Sequence, residues 1–144
     1  MFEDSIKILK KNALCSDIIN KHGAALIKNS LILTTGYNKF ITSNKSNGNL
    51  STIHAEIHAI SKYPKKYVKN MDLIVIRINN NNIDANLKNS RPCSSCIDKL
   101  TKMGIRKVYY SNCFGEIVSE FVKNMEKIHE SSGTRMRKRL IKKN

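Results

Sequence analysis

Ser90-Arg-Pro-Cys-Ser-Ser-Cys-Ile-Asp-Lys-Leu100 is the stretch from which the rest of the chain is best read. Two thiols, Cys93 and Cys96, stand three residues apart, and Pro92 precedes the first. Ile97, Leu100 and Met103 continue at helical spacing, so a helix is predicted to follow. Proline suits the residue leading into a helix because it has no N–H to leave unpaired. The two cysteines then share one face of the first turn. Backbone N–H groups and the positive end of the helix dipole favour thiolate there. Two adjacent thiolates make half of a tetrahedral metal site.

The other half is found upstream, in His54-Ala-Glu-Ile-His-Ala-Ile60. It offers an imidazole and, two residues on, a carboxylate at the start of a second helical pattern. One histidine and two cysteines leave the fourth position of a zinc ion open to water, as in a catalytic site. Glu56 is the candidate proton carrier beside it. Residues i and i+2 lie about 200° apart on an ideal helix. His54 and Glu56 can therefore converge on one centre only if His54 sits at the helix entrance.

The pairing of His54-x-Glu56 with Pro92-Cys-x-x-Cys96 is the signature of the zinc deaminases. The chain resembles the cytidine and deoxycytidylate deaminase superfamily over about residues 23–125. The resemblance implies a three-layer α/β/α fold, with a mixed sheet of about five strands and helices on both faces. It implies Zn2+ held by His54, Cys93 and Cys96, and Glu56 as the catalytic proton shuttle. It also implies hydrolytic removal of the amino group of cytosine, giving uracil and ammonia. Asn38, in Gly36-Tyr-Asn38, corresponds to an amide that meets the substrate's sugar; a plain turn asparagine is the competing reading. Ala55 and Ser94, at the starts of the two helices, are implied to contact the base. The family resemblance further implies a homo-oligomer.

Composition bounds these expectations. The 144 residues suit one domain with a proper core. We assign residues 1–130 to a single deaminase domain that includes an N-terminal helix, and 131–144 to a basic tail. The start, Met1-Phe-Glu-Asp4, is acidic where a secretory leader is basic, and no apolar run reaches the ~20 residues that span a bilayer. Cysteines read as ligands fit a reducing, cytoplasmic setting. Cys15 and Cys113 are expected to be buried thiols. The formal net charge of +15 invites a polyanionic partner, but lysines are spread over nearly every segment. Only the tail is dense, with Arg135, Arg137, Lys138, Arg139, Lys142 and Lys143 in the last ten residues.

Taken in order, Ile6, Leu9, Ala13, Leu14, Ile18 and Ile19 predict an amphipathic helix over about 4–20, stopped by Gly23. Residues 24–28 and 31–35 flank Asn29-Ser30 as a tight hairpin. Polar residues 39–52 predict a mobile loop at the mouth of the site. A helix over 54–63 ends at Pro64. Residues 73–78 form an almost wholly apolar strand, as expected of one buried on both faces. The asparagine run 79–82 leads a polar loop into the cysteine helix, which Gly104 caps. A further strand covers 106–111. Residues 116–125 fit either a helix or a strand. A strand would be antiparallel to its predecessor, because four linking residues cannot make a parallel crossover. Gly115 and the β-branched pair Ile117-Val118 favour the hairpin.

Other chemistries fit less well. A redox Cys-x-x-Cys leaves His54-Ala-Glu56 unexplained. His54 and His58 have metalloprotease spacing, but there the glutamate follows the first histidine directly. A structural zinc site needs a fourth protein ligand, for which His58, His22 or Cys113 are the candidates; His129 stands outside the motif. The substrate is then a free cytosine nucleoside or nucleotide. The alternative is a deaminase or binder of single-stranded nucleic acid working through the basic tail. Against it stand the absence of Trp and the lack of aromatics in the tail.

Overall fold

The computed structural model describes residues 2–42, 50–79 and 82–127. Its main sheet is built from β1 (His22–Lys28), β2 (Leu31–Tyr37), β5 (Asp72–Arg77), β6 (Lys107–Ser111) and β7 (Ile117–Phe121), in the order β2-β1-β5-β6-β7. A separate pair, β3 (Lys39–Thr42) and β4 (Leu50–Ile53), joins β2 to helix α2 (Ala55–Ser61). Three helices complete the fold: α1 (Glu3–Ala13), α2 (Ala55–Ser61) and α3 (Ser94–Met103). Helix α1 covers one face of the sheet, where Leu9 and Ala13 meet Ala25, Ile27, Ile74 and Ile76. Helices α2 and α3 cover the other, where Ala55, Ala59, Ile97 and Leu100 meet Ala24, Leu26, Leu73, Val75 and Val108. This is the expected α/β/α architecture with a five-stranded mixed sheet.

The sheet follows from its sequence. Leu73, Ile74, Val75 and Ile76 have no exposed surface, and side chains alternate between faces. Both layers are therefore fed by one continuous apolar run. Each such side chain contributes about 1.5–3 kcal/mol on burial. Asn29 and Ser30 both take positive φ, 52° and 66°, which gives the β1–β2 link the twist a two-residue hairpin needs. Strands β5 and β6 are parallel, joined through α3. Strands β6 and β7 are antiparallel, with Gly115 at φ 80° in the turn. The hairpin reading of residues 116–125 holds, and a 3₁₀ turn at Val122–Asn124 follows it. Gly104 caps α3 in the left-handed conformation, as expected.

Several expectations are corrected. Helix α1 stops at Ala13 instead of continuing to 20. Backbone bonds from Cys15 to Asn12 and from Ser16 to Ala13 tighten the end. The chain must then turn to start β1, so Ile19 is left 82 % exposed despite its helical phase. Gly23 is no helix stop. It lies in β1 under α1, where an added Cβ would fall 2.3 Å from the Leu9 carbonyl oxygen. Residues 39–52 are not simply a loop, because Lys39–Thr42 pairs antiparallel with Leu50–Ile53; the intervening 43–49 lie outside the described residues. Helix α2 ends at Ser61, short of 63. Cys15 and Cys113 are exposed, not buried, because each falls in a turn just beyond an element. The basic tail lies outside the described residues, as do Asn80, Asn81 and His129. Among the described residues, no helix is long and apolar enough to cross a membrane.

Candidate metal centre and active site

Strand β2 is antiparallel to β1, and β1 to β5. The ends of β2, β5 and β6 therefore lie on one side of the sheet, and the candidate residues gather there. Helix α2 reaches it by close packing on β2. A Cβ on Gly36 would lie 2.3 Å from the Ala59 nitrogen and 2.8 Å from the Ala55 carbonyl oxygen, so only glycine admits the helix so near. Thr34 Oγ1 donates to the Ala59 carbonyl at 2.7 Å. The Tyr37 N–H donates to His58 Nδ1 at 3.1 Å. These contacts fix the level of α2 against the sheet.

The cysteine segment is fixed from the opposite side. The Ser90 hydroxyl donates to the Val75 carbonyl at 2.8 Å and accepts the Ser111 N–H at 2.9 Å. The Ser90 N–H donates to the Ser111 carbonyl at 2.8 Å. Ser111 Oγ donates to the Lys88 carbonyl at 2.6 Å. Both serines are buried. The next residue, Arg91, donates through Nε to Glu120 Oε2 at 2.9 Å, and Tyr110 donates to the same oxygen at 2.5 Å. Pro92 and Cys93 follow directly from this anchored pair.

His54 is the residue before α2, with an extended backbone (φ −75°, ψ 153°). Cys93 holds the same position before α3 (φ −73°, ψ 167°). Pro92 is thus one residue further out than the first helical turn. The extended entrance resolves the angular difficulty of His54-x-Glu56: the histidine leaves the helix and turns back toward the residue it precedes. The donor atoms of His54, Cys93 and Cys96 lie within 4.8 Å of one another. His54 Nδ1 is the ring nitrogen facing the sulfurs, 3.0 Å from Cys96 Sγ and 3.7 Å from Cys93 Sγ. Both cysteines are buried.

Of the three donors, Cys93 is the one held as the thiolate that a cation needs. A hydrogen bond from Cys96 pushes the Cys93 thiol down to about 3, against burial and with help from His54. The same bond, with burial, pushes Cys96 up, so a cation bound by both sulfurs would displace its proton. His54 is raised, first by its hydrogen bond with Cys93. Glu56, in the first turn of α2, is 4 % exposed. Burial raises its carboxyl above the usual range, offset in part by the His54 charge, and it hydrogen-bonds Cys96. A buried carboxyl with a raised pKa accepts a proton more readily than a free one, as a group that takes and returns protons at a nucleophile's position needs to.

Two thiols and one imidazole converging from two helix entrances are a donor set of the right type and number for a three-ligand zinc site. Among the described residues no fourth ligand joins them. His58 is turned to the Tyr37 backbone, and burial lowers its pKa. His22 Nδ1 faces the Asn20 carbonyl, and Cys113 lies in the exposed β6–β7 turn. Ala55 is fully buried at the first position of α2. Ser94 is half-buried at the first position of α3. Asn38 is 7 % exposed; its Oδ1 accepts the His22 N–H at 2.9 Å, and its Nδ2 donates to the Asn20 carbonyl at 2.7 Å. Its amide is thus fixed by the entrance to β1, and among the described residues one N–H and one lone pair are left over.

Sequence reading missed the anchors, Ser90–Ser111 and Arg91–Glu120–Tyr110. The only available signal was Ser90-Arg91 abutting Pro92-Cys93, and nothing in the sequence gives their partners.

Comparison with known proteins bears on the same residues. Residues 4–112 match the family model for the cytidine and deoxycytidylate deaminase zinc-binding region. A comparison with curated proteins finds no match. Among solved structures, a cytidine deaminase from Burkholderia pseudomallei is similar with a TM-score of 0.62 at 18 % identity, covering 90 % of this chain and 99 % of that one. The dCMP deaminase of the cyanophage S-TIM5, in complex with dCMP and dUMP, is similar with a TM-score of 0.55 at 24 % identity, covering 76 % and 79 %. At those identities the likeness is one of fold. With the family match spanning most of the chain and a His–Cys–Cys centre built to fit it, the chain belongs to the cytidine and deoxycytidylate deaminases, which are zinc-dependent hydrolytic enzymes.

Proposed function

We propose that this protein deaminates the cytosine base of a free nucleoside or nucleoside monophosphate. His54, Cys93 and Cys96 hold the zinc, and Glu56 moves the protons. The observation that carries the reading is the buried Glu56 carboxyl beside a three-donor centre with no fourth protein ligand among the described residues. Zinc, when bound, supplies the Lewis acidity that makes water nucleophilic at neutral pH. Glu56 accepts the proton that water gives up, delivers it to ring N3, and passes a proton to the departing ammonia. Burial favours the protonated carboxyl, so it assists the step in which Glu56 takes the proton from water, and the protonated carboxyl is the form that hands it on. The backbone at Ala55 and Ser94, one residue from the ligands, borders the base, and Asn38 borders the sugar.

The test is turnover followed by the ultraviolet change from cytosine to uracil, over cytidine, deoxycytidine, CMP, dCMP and a single-stranded oligonucleotide. Turnover of the small cytosine compounds is expected. Reaction of the oligonucleotide alone, with a steep salt dependence, would replace this reading with the nucleic-acid alternative.

A further inference from the structure

On β5, Leu73 and Val75 belong to the core under α2 and α3. Arg77 is the next residue in that row, so it stands on the catalytic face of the sheet, at the end where the metal centre lies. On β1, Ala24 and Leu26 occupy the same layer, and His22 is the next in theirs. His22 and Arg77 are direct cross-strand partners. The Arg77 carbonyl accepts the Lys88 N–H at 2.9 Å, and Val75, two residues back, holds Ser90 at the approach to Cys93. Lys39 pairs with Ile53, so Asn38 and His54 are the next residues along at that end of the ladder.

These groups are wired together. Arg77 Nη2 donates to Asn20 Oδ1 at 2.9 Å. The Asn20 carbonyl accepts from Asn38 Nδ2, and Asn38 Oδ1 accepts from the His22 N–H. Asn20 thus fixes the plane of the guanidinium and links it to the asparagine proposed to border the sugar. Arg77 Nε is buried and has no hydrogen-bond partner among the described residues. A buried charged donor without a partner calls for an explanation; Arg91 Nη1 shares that state, but its guanidinium is already paired with Glu120. No ion pair of Arg77 with a carboxylate is found among the described residues, unlike Arg91 with Glu120 and Arg106 with Asp72.

We propose that Arg77 is the phosphate-recognising residue of this enzyme, holding the phosphate of a cytosine nucleoside monophosphate while Asn38 borders its sugar. A guanidinium presents paired N–H donors matched to phosphate oxygens, and here it is oriented before the ligand arrives. The inference rests on the deaminase reading and narrows its substrate class from nucleosides and nucleotides to nucleotides.

Binding and turnover separate the two claims. Zinc-loaded wild type and Arg77→Met are titrated calorimetrically with the product pair deoxyuridine and dUMP, which requires no chemistry. The wild type is expected to bind dUMP more tightly. Arg77→Met should weaken dUMP by about 10–100-fold, the usual worth of hydrogen bonds to a charged group, and leave deoxyuridine within about twofold. Arg77→Lys keeps the charge without the fork and should recover part of the loss. Equal weakening of both ligands, or no change for dUMP, overturns the assignment. A wild type that prefers dUMP through Arg77 yet deaminates neither dCMP nor CMP would overturn the reaction and leave the phosphate site standing.

Discussion

Ser90→Ala probes how the cysteine ligands are held in place without touching them. The hydroxyl has three close buried partners: the Val75 carbonyl at 2.8 Å, the Ser111 N–H at 2.9 Å and the Ser111 hydroxyl at 2.8 Å. Alanine removes all three. Ser111 is fully buried, so its N–H is left without a partner at about 1–3 kcal/mol, and the lost bond to Val75 adds about 0.5–1.5. The sum, about 2–4 kcal/mol, is a large share of the ~5–15 kcal/mol of a typical domain. With a urea slope of about 2 kcal/mol per molar, the middle of the usual range, the midpoint should fall by roughly 1–2 M. Ser95→Ala, exposed in α3, is the control and should move stability by less than ~0.5 kcal/mol. Urea unfolding with zinc and with chelator separates the fold from the metal, and competition with a chromogenic chelator gives zinc affinity. A Ser90→Ala protein with the wild-type midpoint and zinc affinity would refute the reasoning that buried stitching at the ends of β5 and β6 positions Cys93.

Gly36→Ala should be more damaging than its size suggests, because the new Cβ meets backbone atoms of α2 with no flexible side chain to yield. A cost of about 1–3 kcal/mol and weaker zinc binding through displaced His54 are expected in the same two assays. Cys93→Ala or Cys96→Ala should each release the zinc, read by elemental analysis at close to one ion per wild-type chain. Glu120→Gln tests the Arg91 anchor by pH. Burial raises the Glu120 carboxyl, but hydrogen bonds from Arg91 and Tyr110 outweigh it and hold the pKa below the usual value. A depressed carboxyl stabilises the fold above its unfolded pKa and loses that contribution as pH falls through the folded value. The stability gap between wild type and Glu120→Gln should therefore close below about pH 4.5. A gap that stays constant down to pH 3 would contradict the ion pair.

Much of this was legible because local signals agreed with the tertiary structure. The apolar run at 73–76 announced a strand buried on both faces, and Asn29-Ser30 announced its hairpin. The angular argument about His54 anticipated its extended backbone before α2. Residues 116–125 carried both periodicities, and Gly115 with the β-branched pair Ile117-Val118 favoured the strand. The misreadings share a cause: periodicity cannot report what a segment packs against. Ile18 and Ile19 continue the helical phase of α1, yet β1 must begin at His22, so the helix ends before them. Gly23 reads locally as a stop, and its requirement comes instead from the Leu9 carbonyl across the layer. Ser90, Ser111, Asn20 and Arg77 act through partners 15–57 residues away in sequence, and composition carries no trace of those pairings.

The central claim is that Glu56 carries the protons at a zinc centre held by His54, Cys93 and Cys96. It is tested most directly by the initial rate of dCMP deamination for wild type and Glu56→Gln at matched zinc content. Loss of general acid–base help predicts a fall of about 10²–10⁴-fold with fold and zinc retained. A Glu56→Gln protein that turns over at the wild-type rate would contradict the account.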